Sequence, residues 1–255
     1  MVAFSVRDWA AWAPGLHERA AWDAWARAPF LPHGDDTPAL TEVPLMQRRR
    51  IDPLGRMAIQ TAYWCQQQAG GRSTPMLFAS RHGDVDRSVG LLKALTADEA
   101  LSPTAFGLSV HNAIAALYSI VTGERGNYLA LASGRSTVET ACVEAAGLLA
   151  DGAPEVRLVY YEAPLPQDYM AYADEAQAFY AWCWRIVPAG AGGPRLQLHW
   201  NGGPTGPIGQ TATLRQDDPL LPHGLAVHRF LLSGDATLSL RDEAGTWHWQ
   251  RDDAN

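Results

Sequence analysis

The sequence has little of what would place it in several large classes of protein. Its three cysteines, Cys65, Cys142 and Cys183, lie far apart, which argues against a disulfide framework or a zinc knuckle. Its apolar stretches stop well short of the roughly 20 residues that cross a bilayer, so we expect no membrane span. The start, M-V-A-F-S-V-R-D-W, has no basic segment followed by an apolar run. We therefore expect a cytoplasmic protein.

Positive charge and phosphate-binding motifs are scarce as well. The chain has 20 basic and 27 acidic residues, for a net charge of −7, and Lys93 is its only lysine. This balance argues against nucleic acid as a partner. Neither G-x-x-x-x-G-K-[ST] nor a strand-to-helix G-x-G-x-x-G is present, so we expect no nucleotide cofactor, and no other cofactor is indicated. The G-x-S-x-G motif is also missing, which weakens a hydrolase reading.

Tryptophan, by contrast, is abundant, with ten in 255 residues. Trp9, Trp12, Trp22 and Trp25 recur at helical spacings on either side of Pro14-Gly15, which predicts two short amphipathic helices within residues 5–28. Their rings pack either on the domain's own core or on a partner, and the sequence leaves both open.

The middle of the chain alternates between buried strands and helices. Strands are predicted at 75–80, 127–133 and 155–162, and helices are predicted from Asp52 onward and at 85–95, 103–121 and 136–149. The last third predicts half-exposed strands at 179–187, 195–200, 236–241 and 246–250, loops at 188–194 and 201–209, and a helix at 223–232. The sequence thus predicts an α/β fold with a largely parallel mixed sheet covered by helices and irregular C-terminal strands. We expect a single domain over 1–255, with a core at about 40–165 and an addition at about 166–255.

Two polar clusters can each be interpreted as a functional site or as a structural feature. His82, Asp84 and Asp86 follow a predicted strand and could hold a metal ion, yet aspartates just before a helix also serve as caps, so no metal site is predicted. His111 and Asn112 form a polar pair that opens an apolar helix, a place more typical of structure than of catalysis.

A basic cluster comes earlier in the chain. Arg48, Arg49 and Arg50 form either a solvated surface or a landing site for an acidic partner or a phosphorylated ligand.

The most informative segment is G-E-R-G-N-Y-L-A-L-A-S-G-R-S-T-V-E-T-A-C, residues 123–142. It predicts a strand, a tight turn and a helix, so that residues from Gly134 to Ser136 face a helix N-terminus, which favours an anion or a nucleophile. The residue at the apex is Arg135, which stays protonated and cannot attack a thioester. Cys142 lies about two turns further on. The segment has the form of a nucleophilic site without a nucleophile.

This segment resembles the N-terminal half of β-ketoacyl synthases. The resemblance rests on L-S-P-T-A-F-G-L-S-V-H-N-A followed by G-E-R-G, the strand, the turn and the helix. In that family a G-x-R-G-P turn leads to a catalytic cysteine in a T-A-C-S/T-S-like motif. When Gly123–Gly126 is matched to G-x-R-G, Ser133-Gly134-Arg135-Ser136-Thr137 falls on T-A-C-T-S. Arg135 then stands where the family has its cysteine, and Asn127 stands where it has proline.

A narrower group is similar over more of the chain. R-R-R-I-D-P-L-G-R-M-A (48–58), the tryptophan-rich start and W-H-W-Q-R look like the short synthase-like proteins of aryl-polyene and xanthomonadin-type pigment clusters. These are regarded as chain-length-factor-like partners of a full ketosynthase. A full ketosynthase has two thiolase-type halves, with its catalytic histidines in the second. His223 and His228 lie in no H-G-T-G-T-like motif. The resemblance implies a half thiolase-like fold that lacks both the nucleophile and those histidines.

The resemblance further implies a catalytically inactive subunit that pairs with a full-length β-ketoacyl-ACP synthase, as a heterodimer or a dimer of heterodimers. Phe106, His111, Asn112 and Arg135 are its candidates for the tunnel or the interface, with Ser133, Gly134 and Ser136 flanking the pseudo-site. Arg48, Arg49 and Arg50 are candidates for docking the acidic acyl carrier protein.

Two alternatives remain open from the sequence. One is a stand-alone acyl transferase or hydrolase that acts on carrier thioesters through Ser133, Ser136 or Cys142 with His111. The other is a carrier-docking module that uses Arg48 to Arg50.

Overall fold

A single mixed β-sheet runs through the residues that the computed structural model describes, 1–68, 73–202, 220–241 and 245–252. Its strands are β1 (Val2–Trp12), β2 (Met76–Ala79), β3 (Tyr128–Leu131), β4 (Val156–Glu162), β5 (Tyr180–Pro188), β6 (Arg195–Gly202), β7 (Thr237–Arg241) and β8 (Gly245–Asp252). They are ordered β3-β2-β4-β5-β1-β6-β8-β7 across the sheet. The predicted strands of the middle and last thirds are therefore all present, although most of the predicted loop at 201–209 lies outside the described residues.

The sheet is mixed, as predicted, but it is mainly antiparallel. Only β2 with β3 and β2 with β4 pair in parallel. The pairings from β4–β5 to β7–β8 are antiparallel. The prediction of a largely parallel sheet is wrong because five of the seven pairings between described strands are antiparallel, and antiparallel neighbours need no helical crossover between them. The C-terminal strands are also regular rather than irregular, since β6 and β8 keep one register from Arg195–Asp252 to Gly202–Gly245.

The N-terminal segment departs most from the prediction. Instead of two helices within residues 5–28, it forms β1 and then one helix, Arg19–Arg27 (α1). β1 lies between β5 and β6, so tertiary pairing on both sides outweighs the helical spacing of Trp9 and Trp12. A bulge between Val6 and Asp8 also breaks the alternation that would have revealed the strand.

The helices cover both faces of the sheet. They are α1, α2 (Leu45–Arg48), α3 (Pro53–Gln68), α4 (Val85–Thr96), α5 (Pro103–Gly107), α6 (Ala113–Thr122), α7 (Thr137–Ala150) and α8 (His223–Ser233), with a 3₁₀-helix at Gln167–Tyr172. The single helix predicted at 103–121 is in fact α5 and α6, separated by a turn that ends at Asn112. Asp52 caps α3 as predicted, because its Oδ1 accepts the N–H of Gly55 at 2.6 Å. No helix of the described chain has the length and apolar character of a bilayer span.

Two hydrophobic cores lie on opposite faces of the sheet. On one face α1, α7 and α8 contribute buried side chains, and Trp22 and Trp25 are at most 1% exposed. On the other face α3 and α6 pack over Phe78 and Tyr161. Trp12 is 3% exposed and joins the second core. These tryptophans therefore pack on the domain's own core.

Candidate functional site

The carboxyl ends of β2, β3 and β4 lie at the same edge of the sheet, because these three strands are parallel. Open α/β sheets bind their ligands at this edge. The turns at 80–84, 133–136 and 162–165 follow the three strands, and the start of the antiparallel β5 joins them there. We call this region the crevice edge.

At the crevice edge, β3 runs through a tight turn into α7, as the sequence predicts. Gly134 adopts a left-handed φ of 56°, which favours glycine. The Ser136 N–H donates to the Ser133 carbonyl at 3.1 Å. The Thr137 hydroxyl donates to the Gly134 carbonyl at 2.7 Å and accepts the Ser133 N–H at 2.9 Å. The turn therefore holds Arg135 at its apex, directly before α7.

The Arg135 side chain is 23% exposed and faces a carboxylate shared with a second arginine. Its Nη1 lies 3.9 Å from Oδ2 of Asp174. Arg81 donates to the same oxygen, and its Nη1 lies 3.4 Å from Oε1 of Glu175. Burial alone would raise the pKa of Asp174, but the contacts with Arg81 outweigh it and lower that pKa. The apex thus holds fixed charge, and an arginine there supplies no nucleophile.

Behind the turn lies a buried polar network that the sequence analysis missed. Oε1 of Glu139, one turn into α7, accepts hydrogen bonds from Nε2 of His223 at 2.8 Å and from Nε1 of Trp249 at 3.1 Å. Nε1 of Trp247 donates to the Ser136 hydroxyl at 2.7 Å. No sequence spacing marks these contacts, because more than 80 residues separate each pair of partners.

The network changes the pKa of its histidine. Burial would lower the pKa of His223, but the Glu139 carboxylate outweighs it and raises that pKa above its usual value. Arg135 acts in the opposite direction on the same imidazole. His223 therefore lies in electrostatic range of the apex, although we found no catalytic context for it in the sequence.

The candidate base and one candidate nucleophile of a stand-alone enzyme make contacts with other groups. His111 bonds through Nε2 to the Ser80 carbonyl at 2.9 Å, and the Ser136 hydroxyl accepts the hydrogen bond from Trp247. Cys142 is fully buried, and this burial raises its pKa well above the usual value.

The remaining predicted residues are dispersed over the surface. Phe106 on α5 is 67% exposed, and Asn112 occupies the N-cap position of α6 without a side-chain capping bond. Arg48 donates to the Ala39 carbonyl at 2.8 Å. Arg49 and Arg50 are exposed beside it.

The acidic turn after β2 serves as a helix cap. Asp84 Oδ1 accepts the Arg87 N–H at 3.0 Å, so the capping reading of this segment is confirmed. Across the described ranges, no group of three or more His, Cys, Asp or Glu side chains is arranged to hold a metal ion.

Exposed apolar side chains lie on β3 and on several helices. β3 ends the sheet and pairs only with β2 among the described strands. These side chains lie on β3, on α4, α5 and α6, in the turn between α5 and α6, and on the 3₁₀-helix: Leu92, Leu95, Phe106, Val110, Ile120, Leu129, Tyr169 and Tyr172. α6 packs on β3, α4 packs on α5, and Nζ of Lys93 on α4 lies 2.6 Å from Asp168 of the 3₁₀-helix. We call this surface the β3 face.

A family comparison agrees with this geometry. The profile of the beta-ketoacyl synthase N-terminal domain matches residues 22–250. No curated protein sequence matches the chain.

Solved structures share the fold at low identity. One is a ketosynthase (ApeO) in complex with its chain length factor (ApeC) from Xenorhabdus doucetiae, with a TM-score of 0.81 and 23% identity over 98% of this chain and 100% of that chain. The ishigamide ketosynthase/chain length factor gives 0.59 and 15% over 78% and 68%. The AntDE:AntF complex of a type II polyketide acyl carrier protein with its ketosynthase gives 0.63 and 11% over 80% and 70%. These likenesses establish the ketosynthase-like, thiolase-like fold.

Proposed function

Because this chain belongs to the family of β-ketoacyl synthase N-terminal domains, we propose that it is a catalytically inactive subunit that pairs with an active β-ketoacyl-ACP synthase. Its role is that of a chain length factor, which shapes the acyl tunnel of its partner. The pathway would be the synthesis of an aryl polyene or of another polyketide-type pigment.

The observation that carries this proposal is the arginine at the apex of the turn between β3 and α7. The backbone builds the strand, turn and helix that present a nucleophile in an elbow, and the residue presented is Arg135. A guanidinium cannot form an acyl-enzyme. Since the elbow is kept and its reactive group is absent, the turn serves as structure.

The β3 face supports a partner of this kind. An outer strand that pairs on one side only among the described strands, together with exposed apolar side chains, is a surface that monomeric proteins avoid. Leu129 is 44% exposed on the strand itself, Ile120 is 68% exposed on α6, which packs on β3, and Phe106 is 67% exposed on α5. Pairing with another chain would bury this surface.

The resemblance to paired ketosynthases supports the same role. This chain and its match in the ApeO–ApeC complex cover each other almost fully, so the two are of similar length. We propose that Phe106, His111 and Asn112 lie at the partner's tunnel or interface. Arg49 and Arg50 are exposed and Arg48 is half-buried beside them, and we propose this basic cluster as the contact for an acidic acyl carrier protein.

The proposal is tested by expressing the chain alone and together with the ketosynthase encoded beside it. Size-exclusion chromatography with light scattering should give a stable complex of the two chains, as a heterodimer or twice that. Condensing activity of the complex should disappear when the cysteine of the ketosynthase is replaced. A well-behaved monomer that ignores the ketosynthase would overturn the proposal, and release of free acid from acyl carriers by the chain alone would favour the stand-alone enzyme.

Arg135→Ala sharpens the test. The ion pair with Asp174 is long and partly exposed, so its loss should cost the fold less than about 1 kcal/mol. If Arg135 contacts the partner, the variant should co-purify less well at an unchanged melting temperature. Intact co-purification would remove Arg135 from the interface.

A further inference from the structure

A cavity opens at the crevice edge beside the ends of β2 and β4. It encloses about 340 Å³ between the N-termini of α3 and α4 and the segment that follows β4. Small-molecule sites typically occupy roughly 300–1,000 Å³ and lie at the carboxyl ends of parallel strands. The size and place of this cavity are therefore those of a ligand site.

The walls of the cavity are apolar. Leu54, Val85, Leu165 and Phe179 line it from α3, α4, the segment after β4 and the start of β5. Leu54 and Leu165 are buried, so they form fixed walls, while Phe179 is half-buried and presents a ring. This lining suits a hydrocarbon or aromatic body.

The polar side chains that line the cavity are either negatively charged or neutral. Four aspartates line it: Asp35, Asp52, Asp84 and Asp86. No lysine or arginine is among the described lining residues. His82 also lines it, and burial together with the charge of Arg81 lowers the pKa of this histidine, so the ring is neutral at pH 7.

Arg87 balances only part of this charge. Arg87 donates from Nε to Asp84 and from Nη2 to Asp52, which holds the two carboxylates together. Asp35 and Asp86 are exposed at the cavity and add two further charges. The interior thus has a net negative potential, which attracts a cation and repels a phosphorylated or acidic ligand.

An unused hydroxyl lies close to the two inner aspartates. Tyr161 on β4 is fully buried, and its hydroxyl has no hydrogen-bond partner within the described part of the chain. Its pKa is raised by burial and then by the negative charges of Glu162, Asp52 and Asp84. A buried polar group without a partner is costly, and this one shares the electrostatic surroundings of the two aspartates although it does not line the cavity.

From the shape, the apolar walls and the charge, we propose that this cavity binds a small organic monocation, an ammonium or guanidinium group carried on an apolar body. The apolar body would lie against Leu54, Leu165 and Phe179, and the cation would lie among the aspartates. This proposal does not rest on the subunit role, because no residue that lines the cavity is among those assigned to that role.

The test uses the full chain and three probes of one shape. 4-Phenylbutylamine, 4-phenylbutanol and 4-phenylbutyrate share an apolar body and differ in charge, and each is titrated by calorimetry or NMR. The amine should bind one to one and lose affinity as salt rises. Equal binding of the alcohol or the anion, or no binding of the amine, would overturn the proposal.

Substitutions test whether the amine binds in this cavity. Asp35→Asn with Asp86→Asn should weaken amine binding roughly tenfold, since each exposed charge contributes about threefold. The matched control, Asp23→Asn with Asp151→Asn, removes two exposed charges elsewhere and should leave the affinity unchanged. Ala163→Leu fills the cavity without changing its charge and should abolish binding. Equal loss in the control pair, or undiminished binding to Ala163→Leu, would sink the assignment.

Discussion

Nε2 of His223 lies 2.8 Å from Oε1 of Glu139, and both side chains are almost completely buried behind the turn that carries Arg135. The pair joins the first turn of α8 to the first turn of α7 across 84 residues of sequence. It therefore fixes where α8 lies relative to the crevice edge.

The pair makes stability depend on pH with a definite sign. The folded pKa of His223 is raised above its usual 6.5, so the stabilisation is complete below that pH and is lost as the pH rises through the folded value. Glu139→Gln removes the carboxylate and leaves burial, which lowers the pKa of the histidine. We expect wild type to lose more stability than the variant between pH 6 and 8.5, as measured by thermal unfolding.

Two comparisons make that experiment decisive. Glu162, whose pKa burial raises to about 8, adds a similar loss in both proteins, so the difference between the two profiles isolates His223. Glu144→Gln, on the exposed side of α7, should reproduce the wild-type profile. Parallel profiles for wild type and Glu139→Gln would contradict the ion pair.

Arg157 anchors the turn before β3. Its fully buried guanidinium donates to Thr74 Oγ1 and the Tyr118 hydroxyl at 3.0 Å and to Glu124 Oε2 at 3.1 Å. Arg157→Met leaves Glu124 without its buried counter-charge, which should cost about 3–5 kcal/mol in denaturant unfolding. Arg27→Met, on the exposed side of α1, serves as the control. A loss below about 1 kcal/mol would show that the network is not structural.

The apex of the turn can be probed by thiol chemistry. Cys65, Cys142 and Cys183 are all buried, so the native wild-type chain should show no fast reaction with a disulfide reagent. Arg135→Cys places a thiol at the N-terminus of α7, where the helix dipole lowers thiol pKa values. We expect one fast thiol per chain, and Arg135→Ser should show none. Reaction only after unfolding would mean that the turn does not present this residue.

The β3 face gives a prediction about assembly. Leu129→Arg or Phe106→Glu adds a charge to an exposed apolar side chain, so the melting temperature should stay within a few degrees of wild type. Affinity for the ketosynthase should fall at least tenfold, because a charge buried without a partner is penalised. Phe30→Glu, which is also exposed but lies beside α1, is the control. Unchanged assembly in both variants would place the partner elsewhere.

The sequence predicted the middle of the fold better than its ends, for physical reasons. The local sequence specifies three of its elements, β2, β4 and α7, through short apolar runs and the turn at Gly134. β1 pairs with two strands that lie far along the chain, β5 and β6. The helical spacing of its tryptophans therefore led to the wrong prediction. The break between α5 and α6 likewise appears only in the structure, where Asn112 occupies the N-cap position of a new helix.

The candidate site likewise has one part that the sequence predicts and one part that it does not. The apex residue Arg135 could be identified from the run of glycine, serine and threonine around it, because a turn and the helix that follows are local. The Glu139–His223–Trp249 network could not, since a lone glutamate in an alanine-rich helix and a histidine near a proline carry no pattern that links them. Only the stacking of α7, α8 and β8 on one face brings these three together.

The antiparallel direction of β5 has a consequence for how such a chain can change over evolution. The segment of residues 163–179 leaves the sheet at the end of β4 and returns to it at the start of β5, and both points lie at the crevice edge. It never crosses a helical layer. Lengthening a surface connection costs little closure entropy, so insertions there leave the eight-stranded register intact while they reshape the rim of the crevice. We therefore expect related chains to differ in length within this segment more than within the strands that flank it.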